Sequence, residues 1–168
     1  MQTAILIVGM GILAVIAYGD VRTRRIPNVL TLAIAILGLL RIILVYDPVA
    51  AGHTLAAGAA IFVAAFLLFW YGAIGGGDAK LVAATALLVG YHDLFSFLFL
   101  MSVCGGALAL AMLARDTLRL WLPARWARTP LATETAECLA APAPTVPYGV
   151  AVATAGVVML ILNVPFAE

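Results

Sequence analysis

Charged side chains are scarce in this sequence of 168 residues. Only 10% of the residues are charged and 65% are hydrophobic, whereas a soluble domain carries about 25% charged residues. So few charges would not cover the water-facing surface of a soluble domain. The composition therefore predicts a membrane protein, and the length is that of a single membrane-embedded domain over residues 1–168.

Residues that bind metals are also few. The chain has two cysteines, Cys104 and Cys138, and two histidines, His53 and His92. Neither cysteine belongs to a CxxC pair, whereas a zinc site uses about four convergent ligands. We therefore expect no metal and no cofactor. The sequence has no basic field with interleaved aromatic residues, so we expect no nucleic-acid partner.

Apolar runs separated by charged or turn-rich breaks predict an all-α polytopic membrane protein with about six transmembrane helices. A spanning helix needs about 20 residues, and only the fourth run is clearly shorter. The first run lacks the positive n-region of a secretory signal, so we interpret it as a retained helix. The runs cover about 2–18, 28–46, 54–71, 79–90, 94–114 and 147–165.

Lysine and arginine are concentrated in alternate breaks, after the first, third and fifth runs. The positive-inside rule then places these three breaks in the cytoplasm and both termini on the non-cytoplasmic side. Arg41 lies in the outer third of the second run, from which it would snorkel to the interface. The long cytoplasmic break, about 115–146, begins with mixed arginine, leucine and tryptophan, which favours a surface helix, with a plain tether as the alternative.

Six of the eight acidic residues fall in breaks or at the terminus, where a solvated charge is the simplest interpretation. Asp20 ends the first run, where a surface pair with Arg22 or Arg24 is the alternative to a functional role. The six interpreted as solvated are Asp47, Asp93, Asp116, Glu134, Glu137 and Glu168.

Asp78 is the more unusual acid, because it follows three glycines and starts the short fourth run. Glycines permit close approach and unusual backbone conformations, and here they are predicted to break the helix. A short helix would leave Asp78 below the cytoplasmic surface. Its alternative interpretation is a helix N-cap, and the two are compatible.

Topology relates the two acids, since the chain would cross the membrane twice between Asp20 and Asp78. Both then lie on the cytoplasmic side, where two close carboxylates can share one proton and activate a water molecule. Both histidines map to the opposite side, which leaves no Ser–His or Cys–His arrangement.

Three segments resemble the signatures of type IV prepilin peptidases. Asp20 precedes an Ile26-Pro27-Asn28 element, residues 75–80 contain a GxGD motif followed by lysine, and Pro147-Tyr148-Gly149 opens the last run. The resemblance covers nearly the whole chain. It is strongest for the small Tad/Flp-type or archaeal members, because the chain lacks the CxxC-containing cytoplasmic domain of larger members. It therefore gives no basis for predicting N-methylation.

The resemblance implies an aspartyl endopeptidase of the inner membrane. Such enzymes remove the short basic leader from pilin-like precursors of type IV pili and secretion systems at the cytoplasmic face, so the partners are a pilin precursor and membrane lipid. It assigns catalysis to Asp20 and Asp78 and the loop shape to Gly75 and Gly77. Matching positions without a derived role are Pro27, Asn28, Lys80, Pro147, Tyr148 and Gly149.

Two hypotheses from other classes remain open at this point. In a proton-coupled transporter or channel subunit, Asp20 and Asp78 would be relay groups, and such a protein might also repeat its broken helix in the other half of the chain. In a non-catalytic assembly factor of a pilus or secretion system, neither acid would react. The paired signatures favour the peptidase over both.

Overall fold

A computed structural model describes residues 2–24, 26–45, 47–121 and 148–164, and it contains only helices, turns and irregular segments there. The all-α prediction is therefore confirmed for this part of the chain. The six helices are α1 (Gln2–Thr23), α2 (Asn28–Val45), α3 (Pro48–Trp70), α4 (Gly76–Val89), α5 (Leu94–Trp121) and α6 (Tyr148–Leu162).

The chain divides into two compact units. The first contains the described residues of 1–105 and 147–168, which form α1 to α4, the beginning of α5 and α6. The second contains the described residues of 106–146, which form the remainder of α5. The single domain over residues 1–168 stays a prediction, and the site described below lies within the first unit.

Helix α4 is the buried centre of the first unit. It packs against α2, α3 and α6, while α1 packs against α6 and α2. Four consecutive residues, Leu81 to Ala84, are all buried although successive side chains of a helix point about 100° apart. A helix that is apolar all round is stable only when neighbours cover every side. The small residues of α4 therefore serve close packing on several faces at once.

Within the described residues, three helical segments are long and apolar enough to cross a membrane, namely Gln2–Thr23, Pro48–Trp70 and Leu94–Arg115. Helices α2 and α6 are apolar but shorter. Many large apolar side chains, such as Phe95 at 84% exposure, face outward. This surface suits lipid better than water. The number of spans and the sidedness of the termini stay predictions.

Several predicted helix boundaries were wrong. The break predicted at 47–53 is mostly helix, because Asp47 caps α3 by accepting hydrogen bonds from the backbone N–H groups of Val49 at 2.9 Å and Ala50 at 3.2 Å. Helix α5 continues to Trp121, so the long break does not begin at 115. The rest of that predicted break, from residue 122 onward, lies outside the described residues.

Arg41 does not snorkel as predicted but turns inward toward the C-terminus of α4. Its guanidinium donates to the backbone carbonyl oxygens of Leu88 and Val89, the latter at 2.7 Å. The last carbonyls of a helix lack partners within the helix and form the negative end of its dipole. Arg41 therefore satisfies this end of α4, and the nearby charge of Asp93 adds an electrostatic attraction.

Replacement of Gly38 by alanine should destabilise the protein, because α2 touches the backbone of α4 at this residue. A Cβ built on Gly38 would lie 2.9 Å from the backbone nitrogen of Leu88. Gly11 is a matched control with no atom within 4 Å of such a Cβ.

We expect Gly38→Ala to lower the free energy of unfolding by about 1–3 kcal/mol. Gly11→Ala should leave it unchanged or raise it by up to about 1 kcal/mol. The measurement is the midpoint of thermal unfolding in one detergent, and equal midpoints for the two variants would contradict the close contact.

Candidate active site

The carboxylate of Asp20 is buried where α1 meets the start of α6. Only 5% of the residue is exposed. Its Oδ2 accepts a hydrogen bond of 3.1 Å from the backbone N–H of Val150, and the backbone N–H of Gly149 donates to the carboxylate as well. The first N–H groups of a helix have no partners within the helix and form its positive end. Helix α6 therefore compensates part of the cost of burying Asp20.

The predicted alternative, a surface pair of Asp20 with Arg22 or Arg24, does not describe this arrangement. Arg22 donates instead to the hydroxyl of Tyr18 at 2.9 Å. Arg24 contributes an electrostatic attraction to Asp20 that ranks below the two backbone hydrogen bonds. The main partners of Asp20 are thus backbone groups from the far end of the sequence.

Gly149 has a steric role that its position in the sequence does not reveal. A Cβ built on it would lie 2.7 Å from Oδ2 of Asp20 and 2.9 Å from Cδ1 of Ile26. Separations below 3.0 Å force one of the partners to move. Glycine at this position therefore lets the start of α6 approach Asp20 closely enough for its N–H groups to donate.

Asp78 lies in the first turn of α4, which begins three residues earlier than predicted. The helical structure is interrupted between Trp70 and Gly76, but Gly76 and Gly77 are already helical. The N-cap is Gly75, in extended conformation, rather than Asp78. Asp78 instead accepts a hydrogen bond from the backbone N–H of Gly75. This contact resembles the half of a capping box in which the third helical residue bonds back to the N-cap.

Ile26 connects the two acidic positions. A Cβ built on Gly77 would lie 3.4 Å from Cβ of Ile26, and the side chain of Ile26 also reaches Gly149 beside Asp20. The negative charge of Asp20 acts on Asp78 by electrostatic repulsion. The ends of α1, α4 and α6 that carry the three signature segments therefore meet within the first unit.

An apolar cleft opens beside Asp78. Its cavity volume is about 330 Å³, and its walls come from α3, α4, α5 and α6. Asp78 is the one acidic residue among its described lining residues, which include Ile74, Val82, Met101 and Tyr148. Tyr148, which had no role from the sequence, is thus part of the wall. A cavity of this size is within the range of binding sites for small ligands.

None of the other described residues that matched the family signatures is found in the lining of the cleft at Asp78. Pro27 precedes α2, and its carbonyl oxygen accepts from the N–H of Leu30 at 3.1 Å. Asn28 and Lys80 line a separate groove, not the cleft at Asp78. Pro147 lies outside the described residues.

Sequence reasoning did not assign roles to Ile26 and Val150. Ile26 is adjacent to the Pro-Asn element, so its place in that signature was a usable signal. Val150 contributes its backbone N–H. Every residue except proline has this group, so the residue type gave no signal.

A pair of neighbouring carboxylates is able to provide acid–base chemistry. Like charges held close make one carboxylate retain a proton while the other stays ionised, so one site holds both an acid and a base. Among the described residues, no group of three or more histidine, cysteine, aspartate or glutamate side chains is placed to hold a metal ion. His53 packs near Tyr91, with ring centroids 5.3 Å apart, at the opposite end of α4 from Asp78.

Comparison with known protein families adds an independent finding. Residues 7–110 match the model of the type IV leader peptidase family, which is well over half of the 168 residues and includes both Asp20 and Asp78. No curated protein and no solved structure matches the chain. The match, together with three helices of membrane-spanning length, indicates a multi-pass membrane protein with peptidase activity.

Gly149→Ala should impair peptidase activity without removing any side chain that reacts. The added methyl group would displace Asp20 or Ile26, and a displacement of about 1 Å in a catalytic group can cost on the order of 100-fold in rate. Gly19→Ala is the matched control, because Gly19 adjoins Asp20 but has open space around its Cβ position. The measurement is the cleavage rate of both variants at equal amounts in the membrane, and equal rates would contradict a steric role for Gly149.

Proposed function

Because the chain belongs to the type IV leader peptidase family, we propose that it is an aspartyl endopeptidase that cuts pilin-like precursors. It would remove their short N-terminal leader at the cytoplasmic face of the inner membrane. The observation that carries the proposal is that Ile26 contacts both Gly77, next to Asp78, and Gly149, which abuts Asp20, so that two acids from different helices converge and the charge of Asp20 acts on Asp78. The family implies a protein substrate, and the coupled acids favour aspartyl chemistry.

In the proposed mechanism the two carboxylates share one proton and position a water molecule. The ionised carboxylate removes a proton from the water, whose oxygen attacks the carbonyl carbon of the peptide. The protonated carboxyl group then donates its proton to the peptide nitrogen as the C–N bond breaks, which releases the new amine. Asp20 accepts from two backbone N–H groups and Asp78 from one. Such hydrogen bonds stabilise a carboxylate, so we assign the shared proton to Asp78.

The apolar cleft beside Asp78 supports a substrate that is apolar near the bond to be cut. Its described lining consists mainly of aliphatic side chains, with Asp78 at its wall. An extended peptide placed against Asp78 would direct neighbouring side chains into this cleft. A precursor with an apolar segment next to its leader matches these surroundings.

The charge distribution supports a cytoplasmic active site. Arg22 and Arg24 follow Asp20 closely, Lys80 follows Asp78, and all three are exposed. Positive residues near the ends of membrane helices favour the cytoplasmic side. The same residues would leave this end of the first unit accessible to a precursor whose leader has not crossed the membrane.

Asp20→Asn and Asp78→Asn should each abolish leader removal, since an amide neither takes a proton from water nor holds the shared proton. The experiment is co-expression with a candidate pilin precursor, and the readout is the mobility shift that accompanies leader removal. Both variants should remain in the membrane.

Asp93→Asn serves as the control, because Asp93 lies at the other end of α4 and accepts a hydrogen bond of 2.9 Å from Asn163. Cleavage at the normal rate by either Asp20→Asn or Asp78→Asn would refute the catalytic pair. It would return the transporter and assembly-factor hypotheses to consideration.

The shared proton predicts that the cleavage rate falls at both low and high pH. At low pH both carboxyl groups are protonated and no base remains, whereas at high pH both are ionised and no acid remains. The profile should show two apparent pKa values that belong to the pair rather than to either residue. The measurement is single-turnover cleavage across pH, where a rate independent of pH, with chemistry limiting, would count against the mechanism.

A further inference from the structure

A second and larger opening lies between α2 and α3. This α2–α3 groove has a cavity volume of about 580 Å³, with α2 and α3 as its walls and α4 as its floor. Both walls pack mainly against α4 rather than against each other, which leaves the space between them. Two family-matched residues without a function so far, Asn28 and Lys80, line it.

The groove and the cleft at Asp78 use different faces of α4. The groove is lined from α4 by Lys80, Ala83, Ala84 and Leu87, whereas the cleft is lined from α4 by Asp78 and Val82. Successive residues of a helix are about 100° apart, so Lys80 is turned about 200° from Asp78. The α2–α3 groove is therefore a separate opening from the cleft at Asp78.

The groove is polar at one end and apolar along the rest of its length. Asn28, Thr31 and Lys80 lie at the end where α2 and α4 begin, and none of the described lining residues is acidic. The remaining walls include Leu32, 61% exposed, and Phe62, 47% exposed. Such a site matches a molecule with one negatively charged head and a long apolar tail.

We propose that the α2–α3 groove binds one anionic phospholipid. Its phosphate would lie at the ammonium group of Lys80 and the amide of Asn28, and an acyl chain would run between α2 and α3 over Ala83 and Leu87. Phosphate oxygens accept readily from an ammonium group, which acts as a point charge. Because α2 starts at Asn28, the head would sit at the helix ends, where lipid heads lie in a bilayer.

The lipid would contact α2, α3 and α4 at once and so replace contacts that α2 and α3 do not make with each other. The distance from Asn28 to Ala35 along α2 corresponds to roughly 10 Å at the rise of an α-helix. That length accommodates the first part of an acyl chain below the glycerol. The ligand would thus be a structural lipid on the helix that carries Asp78.

The test is native mass spectrometry of the full chain in detergent, titrated with phosphatidylglycerol or with phosphatidylcholine of the same acyl chains. We expect one phosphatidylglycerol bound in preference to phosphatidylcholine. Lys80→Gln should weaken phosphatidylglycerol binding roughly fivefold, which is the effect of one basic residue near anionic lipid. Lys80→Arg should retain it. Equal binding of the two lipids by the wild-type protein would overturn the proposal.

Two further variants separate the groove from general charge effects. Arg22→Gln removes an exposed positive charge that is hydrogen-bonded to Tyr18 rather than lining the groove, so it should retain phosphatidylglycerol binding. Ala59→Trp places a bulky side chain in the apolar part of the groove and should reduce binding with the charge intact. Equal loss in Lys80→Gln and Arg22→Gln would refute the site, as would displacement of the lipid by a pilin precursor, which would assign the groove to the substrate.

Discussion

The hydrogen bonds between Asp20 and the start of α6 join the first and the last described helix, and Asp20 and Val150 are 130 residues apart in the sequence. A buried carboxylate without partners would be costly, and backbone N–H groups at a helix N-terminus are among its best partners. The donation requires the backbone of α6 to approach closely, which Gly149 allows. Ile26 then packs against Gly149 and Gly77, so the position of α4 relative to Asp20 depends on the same contact.

Helix α4 has backbone groups at both of its ends that need hydrogen-bond partners, as the carboxylate of Asp20 does. With 14 residues it is about 21 Å long, which is shorter than the hydrocarbon thickness of a membrane. Backbone groups left unpaired there would be expensive. Asp78 accepts from the N–H of Gly75 at one end, and Arg41 donates to the carbonyls of Leu88 and Val89 at the other. The short helix is therefore terminated by side chains at both ends, and one of those side chains is a proposed catalytic acid.

The sequence predicted those features that depend on composition, periodicity and order along the chain. The apolar runs predicted six helices, and the described part of the chain contains six. That the chain crosses the membrane twice between Asp20 and Asp78 stays a prediction. The sequence did not predict which of several possible partners a side chain contacts in the folded protein. Its position near the end of an apolar run suggested that Arg41 snorkels, but the sequence does not show that the C-terminus of α4 lies beside it. Aspartate is a favoured N-cap residue, which suggested that role for Asp78. In the structure Gly75 is the N-cap, and Asp78 accepts a hydrogen bond from its backbone N–H.

The spacing of Asp78 and Lys80 has a physical consequence because α4 lines both the cleft and the α2–α3 groove. Two residues apart on a helix, they point to nearly opposite sides, one to the cleft of the proposed reaction and the other to the α2–α3 groove. A lysine beside the two acids would instead pair with their charge and hold both ionised, which would remove the proton that the proposed mechanism needs. The two-residue spacing keeps a positive charge at this end of α4 and away from the two acids, as the proposed mechanism requires.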